Sequence, residues 1–347
     1  MGQYLENPWR GRGLGDAHLF PLADAGDVTR RLQRCPAHAP TPLRNAAALA
    51  SRLGIGQLWL KDERARMGLG SFKALGAAHA IAREAAATDA PDLRQALQGR
   101  VYVTASAGNH GLSVAAGARL FGARAIVCLS QAVPEAFAAR LTARGAEVRR
   151  AGADYEASMQ AAAEAAAAHG WTLLSDSSWP GYTELPLRVM EGYLQLAAEA
   201  AAQIDRPPTH ILLQAGVGGL AAAVAAHARR VWGDGPQIIV VEPEAAPALI
   251  ESIRAGALTE TSGPASCMGR LDCKTPSMIA LNGLARDADA FVTISEATAR
   301  GATDLLAAQG LPTTPSGAAG IAPLLAGLEL PPAARVLAIL SEGPEDG

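Results

Sequence analysis

Three short stretches carry residue types suited to chemistry. The first is "SFKALG", residues 71–76, where Lys73 stands at the apolar root of a small-residue helix. A solvated helix start favours acidic residues, because aligned peptide dipoles leave that end positive. Lys73 therefore either reaches out to water or is held inside for chemistry. The second is "LLQAGVGGLAAAVAAHA", where a strand runs into Gly216, Val217, Gly218 and Gly219 ahead of a helix. Glycines there let the backbone approach an anion, and the free N–H groups of the helix point at it. This reads as a phosphate loop, with a plain tight turn as the alternative. The third is "VTASAGNHGLSVAAGARLFG", in which a strand delivers Ser106, Ala107, Gly108, Asn109 and His110 to a helix start. Backbone amides at such a start suit a carboxylate, and Asn109 can donate to an anionic oxygen or accept from an amine. An ordinary helix cap by Ser106 or Asn109 competes with that reading. His110 reads as structural rather than catalytic.

The glycine loop admits a second interpretation. Gly216, Gly218 and Ala221 fit a dinucleotide fingerprint, and Glu242 closes the following strand where a ribose-binding acid belongs. That would make a nicotinamide-dependent oxidoreductase. The fingerprint falls late in the chain, however, and it leaves Lys73 and the asparagine loop without a role.

The elements that must position these groups alternate along the chain. Strand patterns occur at 57–62, 101–106, 123–130, 171–176, 209–216 and 237–244, with two more in "AFVTISE" and "RVLAILSEG". Helical patterns at 72–88, 109–121, 134–145, 154–169 and 184–203 lie between them. Short apolar strands alternating with helices predict α/β architecture with parallel sheets covered on both faces. Ligands bind such sheets at the carboxyl ends of the strands, which is where the three stretches fall. Residues 30–42 read as an irregular lead-in.

Composition limits the function classes. The chain has 347 residues, 49% hydrophobic and 18% charged, with a net charge of −3. That is a globular chain with no basic footprint for nucleic acid. No stretch approaches a membrane span, and the opening residues have no apolar run for a signal peptide, so a cytoplasmic protein is expected. Cys35, Cys128, Cys267 and Cys273 form no CxxC pair and read as idle thiols, and no His/Cys/Asp cluster indicates a metal.

"SFK", "SAGNHG", "GVGG" and a terminal strand ending in Ser341, in that order, resemble the fold type II (tryptophan synthase β-like) pyridoxal-phosphate enzymes. Threonine and serine dehydratases share these parts. "KDERARMGLGSFKALG", "DSSWPGYTELP", "MEGY", "MGRLDC", "SGAAG" and "SEGPED" resemble the diaminopropionate ammonia-lyase family in particular. The resemblance implies two doubly wound sheet domains with pyridoxal phosphate in the cleft: residues 1–97 with 190–347 as the large domain, and 98–189 as the smaller one. It implies a homodimer.

The resemblance also assigns roles. Lys73 carries the cofactor through its amine and acts as the base at Cα, with desolvation lowering its pKa so that the amine is neutral. Gly216, Val217, Gly218 and Gly219 hold the phosphate. Asn109 hydrogen-bonds the ring oxygen, Phe72 packs on the ring or serves the core, and Ser341 faces the pyridine nitrogen. A neutral hydroxyl at that nitrogen weakens the electron sink and favours elimination over transamination. Ser106, Ala107, Gly108 and His110 border the substrate. So do Asp176 and Tyr182, with Asp176 at the leaving group or simply capping a turn. The implied reaction is α,β-elimination from a 3-substituted L-2-amino acid, such as 2,3-diaminopropionate or a 3-hydroxy amino acid, giving a 2-oxo acid and ammonia. A β-replacement synthase would share the first half-reaction. One departure stands out: the family pattern "DGNHG" has an acid where this chain has Ala107. A methyl group takes no proton, so Lys73 is expected to be the only base at Cα and the substrate to be of one hand.

Overall fold

A computed structural model describes residues 2–15, 17–106, 108–131 and 133–344. Its strands are β1 (Tyr4–Glu6), β2 (Leu43–Asn45), β3 (Gln57–Asp62), β4 (Val101–Ala105), β5 (Arg124–Leu129), β6 (Ala146–Arg150), β7 (Thr172–Leu173), β8 (His210–Gln214), β9 (Gln237–Pro243), β10 (Ala290–Ile294) and β11 (Arg335–Leu340). They form a seven-stranded sheet, ordered β1-β10-β9-β8-β11-β3-β2, and a four-stranded sheet, ordered β6-β5-β4-β7. The five central strands of the large sheet are parallel, as are all four of the small one. The edge strands β1 and β2 pair antiparallel with β10 and β3.

The central parallel strands are largely buried because helices cover both faces. β8, for example, is buried at all five positions. The lead-in at 30–42 is partly regular, since a helix spans Gly26–Leu32. It buries Val28 and Leu32 and carries Asp27 in its first turn and Arg30 and Arg31 in its last, which suits the helix dipole.

Both sheets wind outward in two directions from an interior strand. In the large sheet the chain runs β8, β9, β10 to one side and returns to place β11 on the other side of β8. In the small sheet it runs β4, β5, β6 and returns to place β7 beside β4. A crevice opens at the carboxyl ends where the winding reverses. The glycine loop leaves β8 and Ser341 follows β11 at one reversal. The asparagine loop leaves β4 and Asp176 follows β7 at the other.

The lysine helix, Lys73–Ala86, is pressed against the helix Glu184–Gln203. Glycines make the close crossing possible. A Cβ on Gly192 would lie 2.4 Å from the Leu75 carbonyl oxygen, and one on Gly76 would lie 2.6 Å from the Tyr193 ring. The approach to Lys73 is anchored beneath by a wholly buried ionic group. Arg66 donates to both oxygens of Glu63 and of Glu199, to Thr41 Oγ1 and to the Ala39 carbonyl, at 2.7–3.1 Å. Lys61 Nζ donates to Glu199, Gln203 and the Thr41 carbonyl at 2.7–3.0 Å.

Candidate active site

A cavity of about 630 Å³ lies at the two reversals, between the sheets. It is lined by Phe72, Lys73, the asparagine loop, Asp176, the glycine loop and Ser341, so the structure gathers residues from both ends of the chain.

Lys73 extends into this cavity and pairs with Asp176. Its Nζ also lies 5.4 Å from the centroid of the Phe72 ring, which meets Tyr193 edge-on at 4.9 Å. Burial pulls the Lys73 pKa down, but the Asp176 carboxylate outweighs it and the ammonium is held above its ordinary range. Burial likewise pushes Asp176 up, and Lys73 more than reverses this, so the carboxylate is held well below its usual range. This corrects the expected neutral amine. Desolvation is the only influence that apolar neighbours reveal, and the partner that overrides it lies 103 residues away.

The helix Asn109–Leu120 begins at Gly108 with no side-chain cap. The capping alternative for Ser106 and Asn109 thus drops out. Ser106 Oγ instead accepts from the Gly108 N–H at 3.2 Å, and Asn109 Nδ2 donates to Glu342 at 2.5 Å. His110 is buried, with Nε2 donating to the Leu174 carbonyl at 2.9 Å, and burial lowers its pKa. Ala107 lies outside the described residues.

At β8 the helix Gly219–Trp232 also starts without a side-chain cap. Gly218 has φ +98°, a conformation that disfavours any side chain. A Cβ on Gly216 would come within 2.9 Å of Cys273 Sγ. Glycine is favoured at both positions, and the loop lines the cavity with no side chain capping the first N–H groups of the helix. That is what an anionic phosphate needs. With a lysine amine in the same cavity, the residues present fit a phosphorylated aldehyde cofactor. Ser341 is buried beside the loop, and its carbonyl accepts from the Phe72 N–H at 3.0 Å, tying β11 to the lysine helix.

Tyr182 stands apart from the other expected residues. Its hydroxyl donates to the Leu173 carbonyl at 2.8 Å and accepts from the Ser175 N–H at 3.0 Å, and it does not line the cavity. Glu242 is also remote from ligand contact. Its two oxygens accept from the Leu249 and Ile250 N–H groups at 2.7 and 2.8 Å, and burial pushes its pKa up to about 8. The acid that a dinucleotide would need is thus spent on the helix Ala248–Ala255, which removes the main support for an oxidoreductase.

Several residues that line the cavity, or that pack behind Phe72 as Tyr193 does, were not assigned from the sequence. Glu342 and Tyr193 sit within "SEGPED" and "MEGY", yet nothing in their spacing points to Asn109 or Lys73. Cys273 lines the cavity as a thiol, its pKa pushed up to about 12 by burial.

Comparison with known proteins agrees with this geometry. The family described as pyridoxal-phosphate dependent enzyme matches residues 35–342. The diaminopropionate ammonia-lyase of Salmonella typhimurium is 33% identical over 304 residues, which cover 80% of this chain and 72% of that protein. A human serine dehydratase-like protein is 29% identical, covering 74% of this chain and 72% of its own length. The crystal structure of the Escherichia coli diaminopropionate ammonia-lyase in complex with D-serine superposes with a TM-score of 0.90 at 28% identity, covering 100% of this chain and 95% of that one. The match and the geometry point the same way: this chain belongs to the pyridoxal-phosphate dependent enzyme family and is a lyase that uses that cofactor.

Proposed function

We propose that this enzyme eliminates the 3-substituent of an L-2-amino acid, releasing a 2-oxo acid and ammonia. The observation that carries the reading is the Lys73–Asp176 pair within the cavity, between the two uncapped helix starts. Pyridoxal phosphate, when bound, supplies an electron sink for the bond broken at Cα. Gly216, Val217, Gly218 and Gly219 hold its phosphate through backbone N–H groups. Phe72, Asn109 and Ser341 hold and orient its ring.

Lys73 is the cofactor-linked lysine and the base at Cα. Its amine is charged while paired with Asp176, so it must give up a proton before it can act as a nucleophile or base. Once that positive charge is gone, Asp176 keeps its desolvation and loses its partner, and its affinity for a proton rises. Asp176 is then suited to take over the cation of a departing ammonium or, once it has taken a proton, to hand that proton to a departing hydroxyl. The N–H groups of the Ser106–His110 turn bind the substrate carboxylate. With Ala107 offering no second acid, proton removal occurs from one face.

A second observation favours ammonia over water as the group lost from C3. Asp176 is built to sit against an ammonium, and the 3-ammonium of 2,3-diaminopropionate replaces the one that Lys73 gives up. A 3-hydroxy amino acid brings no such cation. We further propose that residues 98–189 act as a unit distinct from 1–97 and 190–347, that the active form is a homodimer, and that it works in the cytoplasm, where its four free thiols suit a reducing medium.

A substrate panel tests the reading. The 2-oxo acid and ammonia should form from L-2,3-diaminopropionate faster than from L-serine or L-threonine, and slowly or not at all from the D-isomers. Equal turnover of D-2,3-diaminopropionate would defeat the one-base argument. A new amino acid formed on adding a thiol, in place of the 2-oxo acid, would indicate β-replacement instead.

A further inference from the structure

The asparagine loop belongs to the small sheet and the end of β11 to the large one, yet one hydrogen bond joins them across the cavity. Asn109 Nδ2 donates to Glu342 Oε2 at 2.5 Å. Glu342 is only 4% exposed and is held firmly from its own side. Its Oε1 accepts from Thr314 Oγ1, and its backbone carbonyl accepts from Thr313 Oγ1 at 2.6 Å. The Thr314 hydroxyl in turn accepts from the Gly317 N–H at 3.0 Å, so its proton is directed at Glu342. Arg270 Nε lies 3.9 Å from Oε2.

Both carboxylate oxygens therefore act as acceptors. An asparagine amide has one accepting edge and one donating edge, and only the donating edge can face such a group. Glu342 thus removes the freedom of Asn109 to flip. It leaves the second N–H and Oδ1 of the amide to serve the cavity. A bond to a charged acceptor is stronger than a neutral one, so the preference is firm.

We propose that Glu342 is the positioning residue for Asn109: it sets the amide toward the cofactor and latches the small sheet to the large one across the cavity. This rests on the assignment of Asn109 to the cofactor ring oxygen. Glutamine at 342 keeps the shape but offers either an oxygen or an NH₂ to Asn109, so the orientation is no longer enforced.

The test is a pyridoxal phosphate titration of the cofactor-free protein, read by visible absorbance, for wild type, Glu342→Gln, Asn109→Ala and the double variant. Glu342→Gln should weaken binding about tenfold and shift the absorbance maximum of the loaded enzyme, the size expected for one charge-assisted hydrogen bond. The double variant should bind no worse than Asn109→Ala alone, because Glu342 acts through that residue. The melting temperature of the cofactor-free Glu342→Gln protein should move far less than the affinity. Should Glu342→Gln fail to fold, Glu342→Asp keeps the charge but is one methylene shorter, and the same pattern is expected. Wild-type affinity in the folded variant, or losses that add in the double variant, would overturn the proposal. So would wild-type binding by Asn109→Ala, which also removes the Asn109 assignment. None of these outcomes touches the elimination reading, which is decided by product.

Discussion

Two groups of buried charge flank the loop that leads to the lysine helix, and they are built differently. In the anchor, Arg66, Lys61, Glu63 and Glu199 balance in charge, and Arg66 and Lys61 are completely buried. Arg66 and Lys61 pull Glu199 down to about 2 against the upward push of burial. Its donors end on protein acceptors, and none of its four charged residues lines the 630 Å³ cavity. In the site, Lys73 and Asp176 form a pair that is 20% and 15% exposed, facing 630 Å³ of open space. Buried charges are costly unless compensated, and both groups are compensated. Only the second can exchange its partner. A reactive lysine here is one whose counter-ion can be taken over by something else, whereas a structural one is surrounded by acceptors that cannot leave.

The widest way to break that contrast is Lys73→Ala. It should lower kcat by at least about 10⁴-fold and remove the borohydride-sensitive visible absorbance, since both the attachment and the base are lost. Retained absorbance would place the reactive amine elsewhere. Next is Arg66→Met, which leaves two buried carboxylates short of a cation. It should cost about 3–5 kcal/mol in urea unfolding, the usual penalty for half of a buried ionic group. Cofactor affinity per folded molecule should be unchanged. A specific loss of affinity at unaltered stability would show that the anchor takes part in the chemistry.

Asp176→Asn should reduce kcat about 10²-fold, the range for a proton donor or acceptor. It should also move the pH midpoint of cofactor loading downward. Without the carboxylate, burial is left as the largest influence on Lys73 and the amine deprotonates sooner. An unshifted midpoint would show that the pair does not govern the amine.

Glu242 sharpens the comparison as a third arrangement, in which the charge is avoided. It keeps its proton up to about 8 in the folded chain, whereas an unfolded glutamate loses it near about 4.3. Between those values the folded state binds more protons, so stability falls as pH rises. Glu242→Gln should flatten that part of the stability profile, as followed by thermal melting. The Lys73–Asp176 pair should leave it flat. The lowered Asp176 contributes stability above the ordinary aspartate range and loses it only in acid. The raised Lys73 contributes below the ordinary lysine range and loses it only in strong alkali.

Local sequence determined a good deal of this protein. Strand and helix alternation follows from apolar runs broken by glycines and small-residue helices, because backbone pairing and helix periodicity are set within a few residues. The glycine loop and the asparagine loop were legible for the same reason, each being a strand end, a glycine and a helix start. The edge strands β1 and β2 were not, since three residues carry no period. Partnership was decided only by the tertiary structure. Asn109 meets Glu342 across 233 residues, and Arg66 meets Glu199 across 133. No spacing rule links such pairs, because sheet order, not chain order, brings strand ends together. The state of Lys73 shows the consequence. An apolar setting argues for a neutral amine, and a carboxylate delivered by the other sheet reverses it.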